Sequence, residues 1–185
     1  MAHSIELLFD DDTDAALRQV WTALTAAGVP SQVRVQSATN RPHVTVAVAA
    51  RIDAAVDDEL TALAASLPLV CTLGAPLVFG RPPELGATAR RGHFTLAHLV
   101  VPSPELLELH TRVHRICVPH MPSGPLRHST PGHWTPHATL GRRISAEQLG
   151  LAFASVPEVT TELHGSFTAL RRWDGDDHVE HLLIS

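Results

Sequence analysis

The strongest constraint on this chain is a short stretch that occurs twice: Arg41-Pro42-His43-Val44-Thr45-Val46 and Thr135-Pro136-His137-Ala138-Thr139-Leu140. In an extended strand alternate side chains point to opposite faces. His43 and Thr45 therefore share one face and Val44 and Val46 the other, and the second copy divides His137 and Thr139 from Ala138 and Leu140 in the same way. The apolar face needs a core behind it. A face that carries imidazole beside hydroxyl suits holding an anion and moving protons. Two such strands brought together would put two imidazoles and two hydroxyls around one small site.

The remaining elements fall into the same order around each copy. Residues 4–10 read as a strand, followed by a helix centred on 15–27 that Asp10 to Asp14 would cap and whose Leu17, Val20, Trp21 and Leu24 form one apolar face. Gly28-Val29-Pro30 ends that helix, and residues 32–36 suit a short strand before the first motif strand, 43–50. A helix over 55–66, a strand over 68–79 broken by Gly74 and Pro76, and a loop over 80–91 complete the first half. His93 to Val101 then reads as a strand, and Ser103-Pro104-Glu105 opens a helix to Ile116. After a Pro/Gly-rich loop, 119–132, come the second motif strand, 133–141, a helix from Ser145 to Ser155, and strands over 158–172 and 178–184. Leu67-Pro68 to Phe79 parallels Val156-Pro157 to Phe167, and His93 to Leu96 aligns with Ile5 to Leu8. The chain thus reads as one domain over 1–185 with two similar halves, about 1–85 and 91–172, whose motif strands face a shared groove.

Composition narrows the chemistry. With 44% hydrophobic and 18% charged residues, the 185-residue chain has the balance of a globular protein with one substantial core. The N-terminus lacks the pattern of a signal peptide and no apolar run is long enough to span a membrane, so the expectation is a cytoplasmic protein. Cys71 and Cys117 suit free thiols. All 14 basic side chains are arginine, which excludes a lysine-bearing phosphate loop, a lysine-AMP intermediate and a Schiff base. A net charge of −5 argues against a footprint on duplex DNA, and a small ligand held by a few local arginines fits better.

The paired motifs resemble the 2H phosphoesterase superfamily, which takes its name from two His-x-Thr-x motifs, here His43-Val44-Thr45-Val46 and His137-Ala138-Thr139-Leu140. The second copy continues as Gly141-Arg142, similar to the His-x-Thr-Leu-x-Arg run of the bacterial 2'-5' RNA ligase and cyclic phosphodiesterase branch. The resemblance implies an α+β fold of two pseudo-two-fold lobes, with antiparallel sheets flanking a central cleft and helices outside. It also implies opening of 2',3'-cyclic phosphates to a 2'-phosphate, paired with reversible 2'-5' RNA ligation. The partner expected is a small nucleotide or an RNA terminus bearing a cyclic phosphate, met by a monomer that touches neither duplex DNA nor membrane. No cofactor or metal is called for, because two imidazoles that exist in both protonation states near neutral pH can act as acid and base. His43 and His137 take those roles, in an order the sequence leaves open. Thr45 and Thr139 would donate to non-bridging oxygens, and Arg142 would meet developing charge. Counted by alternation, Arg142 faces away from the groove, so its role requires a bulge or a strand end after Gly141.

Other candidates have simpler readings. A third match, His93-Phe94-Thr95-Leu96, lacks a preceding proline and reads as structural or as cleft rim. His110, His114, Cys117 and His120 have spacings that can bind zinc but lack a His-Glu-x-x-His pattern, and exposed helix histidines account for them. His128 and His133 lie in the loop beside the second motif, and Phe79 is the aromatic favoured for stacking a base, with Arg143 as a spare for Arg142. Rival functions are a phosphodiesterase acting on a 2'-5' oligonucleotide or cyclic sugar phosphate, a non-catalytic module for RNA ends or nucleotides, and a histidine-rich metal protein.

Overall fold

The structure is a computed structural model that describes residues 2–80 and 93–185. Its strands are β1 (His3–Phe9), β2 (His43–Ala49), β3 (Leu69–Gly80), β4 (Phe94–Val100), β5 (His137–Ile144), β6 (Leu163–Asp174) and β7 (Val179–Ile184), and its helices are α1 (Asp11–Ala26), α2 (Val56–Thr61), α3 (Pro104–Cys117) and α4 (Ala146–Ser155). The mixture of helices with an antiparallel sheet is the α+β class expected. Among the described residues no helix is long and apolar enough to cross a membrane.

All pairings are antiparallel, in the order β1-β2-β5-β4-β3-β6-β7, and a further β1–β6 pairing closes the first six strands into a circuit. Two lobes emerge. One is β2-β1 with the C-terminal part of β6 and β7; the other is β5-β4-β3 with the N-terminal part of β6. The lobes exchange strands between the halves of the sequence: β3, from the first half, pairs with β4, and β6, from the second, pairs with β1. At the groove the motif strands touch through one paired position, Val44 opposite Ala138.

The two motif strands bulge at equivalent places. Leu8, Leu7 and Glu6 pair with His43, Val44 and Thr45, but Ile5 pairs with Ala47, so Val46 is the extra residue. Leu99, His98 and Ala97 pair with His137, Ala138 and Thr139, but Leu96 pairs with Gly141, leaving Leu140 as the extra residue. These registers match Leu8 with Leu99, three residues beyond the Leu96 that comparison of the half-sequences suggests.

Behind the motif strands lies the core. Val44, Val46, Ala138 and Leu140 are buried there with Leu17, Val20, Trp21 and Leu24 of α1 and Leu106, Leu109 and Val113 of α3. Each valine or leucine among them, removed from water, stabilises the fold by about 1.5–3 kcal/mol. Asp10 caps α1 by accepting from the Thr13 N–H at 2.8 Å, and Ser103 caps α3 by accepting from that of Leu106 at 3.1 Å. The helices cross over as the strands do: α3 packs on β2 and α1 reaches β5.

Some expectations are corrected. Residues 32–36 do not form a strand; Gln32–Arg34 is a single 3-10 turn capped by the Ser31 hydroxyl. The helix expected over 55–66 stops at Thr61 and is followed by a 3-10 turn, Ala64–Ser66. The strand expected from 158 starts at Leu163, because Pro157–Val159 coils into another such turn. Beyond Gly80, the loop expected over 80–91 falls outside the described residues.

Candidate active site

The Val44–Ala138 pair decides how the site is assembled. Both side chains are buried, at 0% and 1% exposure, so their strand neighbours His43, Thr45, His137 and Thr139 turn to the opposite, partly exposed face. In antiparallel register His43 then faces Thr139 across the groove and Thr45 faces His137. The two histidines become diagonal neighbours, a relation that sets Cβ atoms about 7–8 Å apart.

Each histidine is held by the backbone two residues before it. The Nδ1–H of His43 donates to the Arg41 carbonyl at 2.7 Å, and that of His137 to the Thr135 carbonyl, also at 2.7 Å. A carbonyl only accepts, so both rings carry a proton on Nδ1, whichever state Nε2 is in. The intervening Pro42 and Pro136 hold the preceding residue extended, which presents the carbonyl for this contact.

Tryptophans brace both motifs from the core side. The indole N–H of Trp134 donates to the Thr45 carbonyl at 2.8 Å, and that of Trp21 to the Thr139 carbonyl at 3.1 Å. Trp134 is itself stacked on His110, with ring centroids 3.9 Å apart and planes within 6°. His110 is buried, with its Nε2 2.9 Å from the Ser129 carbonyl, so the expectation of an exposed helix histidine is wrong for this residue. Burial holds its imidazole below the ordinary range, with His114 adding to the effect and the carbonyls of Ser129 and Val46 opposing it.

Beside the second motif lies a cavity of about 330 Å³ lined by Phe79, Thr95, His128, His133, Thr135, His137, Thr139 and Arg142. The Leu140 bulge explains how Arg142 reaches it, since one extra residue reverses the facing that alternation assigns to Gly141 and Arg142, before a second register shift ahead of Ile144. Gly141 permits the bulge to press against the Pro30 carbonyl, which a Cβ there would strike. Phe79 covers His137 with ring centroids 4.7 Å apart. Burial lowers the pKa of His137, and Arg142, His43 and His128 lower it further against the opposing Thr135 carbonyl. His93 stands exposed just before β4, outside this cavity, whereas Thr95 lines it. Arg143, on the left-handed backbone at φ 58°, is not among the lining residues.

The first motif has a different neighbour, which the sequence reading missed. Glu6, opposite Thr45 on β1 and 5% exposed, places Oε1 3.7 Å from His43 Nε2 and accepts the Ser4 hydroxyl on that oxygen at 2.6 Å. Its Oε2 accepts from Arg171 at 2.8 and 2.7 Å. Arg171 also donates to Glu180 at 2.6 Å and to the Thr39 carbonyl at 2.9 Å. Burial alone would raise the Glu6 carboxyl, but His43, Arg171 and Ser4 together hold it below its ordinary value. Strand alternation did mark Glu6: in Ser4-Ile5-Glu6-Leu7-Leu8 it lies on the face away from Ile5 and Leu7.

The metal-like spacings have other partners. His120 Nε2 meets Glu59 at 2.8 Å, and burial pushes the Cys117 thiol up to about 12, with Glu59 and Asp57 adding to it. Among the described residues His3, Asp174 and Asp176 bring donor atoms close enough to share an ion, with His3 Nε2 3.4 and 3.2 Å from the two carboxylates.

The fold and the sequence both have known relatives. The fold matches that of Kluyveromyces marxianus Usb1 with a TM-score of 0.56 and 14% identity, over 100% of this chain and 98% of that one. The same protein with uridine monophosphate matches with a TM-score of 0.55 and 14% identity, over 100% of this chain and 97% of that one. No curated protein matches the sequence. A sequence model described as "2'-5' RNA ligase superfamily" matches residues 13–178, nearly the whole length, and the chain belongs to that superfamily, the 2H phosphoesterases.

Proposed function

We propose that this protein is a phosphodiesterase that opens 2',3'-cyclic phosphates of nucleotides or RNA ends to a 2'-phosphate, with His43 and His137 as the acid–base pair. The observation that carries the reading is the Val44–Ala138 register, which turns His43, Thr45, His137 and Thr139 to one face beside a cavity of about 330 Å³. One Nε2 takes a proton from the attacking oxygen while the other gives one to the oxygen that leaves. Thr45 and Thr139 donate to the non-bridging oxygens, and Arg142 meets the charge that builds on phosphorus oxygens in the transition state. The ring of the cyclic ester already fixes one of its oxygens, so the groove has only to align the attacking oxygen and handle two protons.

Water as nucleophile yields the monoester. An RNA 5'-hydroxyl in its place yields reversible 2'-5' ligation by the same proton transfers. Uridine monophosphate in the Usb1 structure supports a nucleotide or RNA end as the ligand class, and Phe79 beside His137 offers a ring on which a base can stack. The balance of −5 supports a small ligand over a duplex, and a chain of 185 residues with one substantial core suits a single domain.

Turnover of uridine 2',3'-cyclic phosphate to uridine 2'-phosphate in the presence of EDTA tests the reading. Cleavage of a 2'-5' dinucleotide or a cyclic sugar phosphate in its place would move the assignment to that diester. Binding without product would make the protein a module for RNA ends.

A further inference from the structure

Resting on the acid–base reading above, we propose that Glu6 is a positioning residue that commits His43 to donating the proton to the leaving oxygen, which leaves His137 to accept one from the attacking oxygen. The two lobes are alike in their motifs, bulges and backbone contacts, so nothing in the motifs themselves says which way protons move. The strand beside each motif breaks the tie. Opposite Thr45 stands Glu6; opposite Thr139, in the equivalent register position, stands Ala97. One lobe therefore sets a carboxylate against its histidine and the other a methyl group.

The carboxylate is built to act on His43. Arg171 occupies Oε2, and among the described residues Oε1 has the Ser4 hydroxyl and, at 3.7 Å, the His43 Nε2. With Nδ1 of His43 already donating to the Arg41 carbonyl, Nε2 shows either a lone pair or an N–H. A lone pair pointed at a buried carboxylate is repelled, whereas an N–H is attracted. The other charged groups of the cluster are Arg171 of β6, Glu180 of β7 and Arg41 at the entry to β2, and they pair among themselves: Glu180 takes Arg171 at 2.6 Å and Arg41 at 3.5 Å. On the far side His137 meets Arg142, His128 and the face of Phe79, surroundings that favour the neutral ring with a lone pair at Nε2.

The step then balances. The oxygen of water bonds to phosphorus as its proton passes to His137 Nε2. The bond from phosphorus to the 3'-oxygen breaks, and that oxygen takes the proton from His43 Nε2. His43 ends neutral and His137 protonated, and exchange with solvent restores both after the 2'-phosphate departs.

A leaving group that needs no proton separates this role from a structural one. Uridine 2',3'-cyclic phosphate is compared with its analogue carrying sulfur at the 3' bridging position, where a thiolate departs unprotonated. Glu6→Gln is expected to slow the oxygen substrate at least about tenfold and the sulfur analogue by less than about threefold. His43→Ala should recover on the sulfur analogue in the same sense, and His137→Ala should stay slow on both. Equal loss on both substrates in Glu6→Gln, or recovery by His137→Ala, overturns the proposal. Circular dichroism checks that Glu6→Gln is folded; if it is not, the two histidine variants on the same substrates decide. Absence of turnover of the oxygen substrate by the unaltered protein is a different result, which removes the cyclic phosphodiesterase reading and this inference with it.

Discussion

The two lobes present the same motif on the same bulged strand, yet their surroundings differ in sign. Around His43 the neighbours are Glu6 and, behind it, Arg171 and Glu180; around His137 they are Arg142, His128 and an aromatic ring. Val48 stands in the first motif strand where Arg142 stands in the second, counting from each histidine. Near-symmetry of backbone builds the groove, and the departures from symmetry, carried by single side chains, are what the proposed mechanism uses to give it direction. A phosphodiester cleavage needs both: two similar arms to reach phosphorus from opposite sides, and unlike protonation at their tips.

The first way to break the comparison is to remove each arm in turn. His43→Ala and His137→Ala should each lower turnover of a 2',3'-cyclic nucleotide by about 10²–10⁴-fold, and full activity in the double variant would end the proposed mechanism. Next, Arg142→Gln should lower kcat by about 10²-fold if its charge meets the transition state, while Arg143→Gln, outside the cavity, should leave kcat near that of the parent. The braces come third. Trp134→Phe and Trp21→Phe keep a ring but leave the Thr45 or Thr139 carbonyl without its indole donor, at a cost of about 1–3 kcal/mol each in urea unfolding. Equal costs would show the two motifs equally supported; unequal ones would identify the weaker arm.

The smallest effect is a displacement along the pH axis. His137 as base must be unprotonated, and burial and Arg142 hold its pKa low, so the acid limb of kcat/KM should lie below the ordinary imidazole value of about 6.5. Arg142→Gln removes one of the lowering causes and should move that limb upward. Stability has the same sign. His98, His110 and His137 are all held low, chiefly by burial, so their contribution is complete above about pH 6.5 and is lost as pH falls. The urea midpoint should therefore decrease from pH 7 to pH 5.

What was legible beforehand follows from local rules. Alternation sufficed to put His43 with Thr45 and His137 with Thr139, and the odd placement of Arg142 called for a bulge or a strand end after Gly141; the bulge lies just before that glycine, at Leu140. The apolar face of α1 and the caps at Asp10, Ser103 and Ser145 were readable for the same reason. Pairing between distant strands was not, because nothing in β3 names β4 rather than β1 as its neighbour, and the exchange of β3 and β6 between lobes appears only in three dimensions. Glu6 escaped for that reason: its facing was visible, its neighbour was not. His110 escaped because a histidine on a helix looks polar until Trp134 and Ser129 are seen to enclose it.

The exchange of outer strands means that neither half of the polypeptide is a lobe. Severed between Gly80 and Phe94, the chain would yield two peptides, each holding a strand that completes the other's sheet and one histidine of the pair. Such peptides should regain activity only on mixing, and a half of this kind standing alone would find its missing strand in a second copy of itself, as a swapped dimer with a groove on its axis.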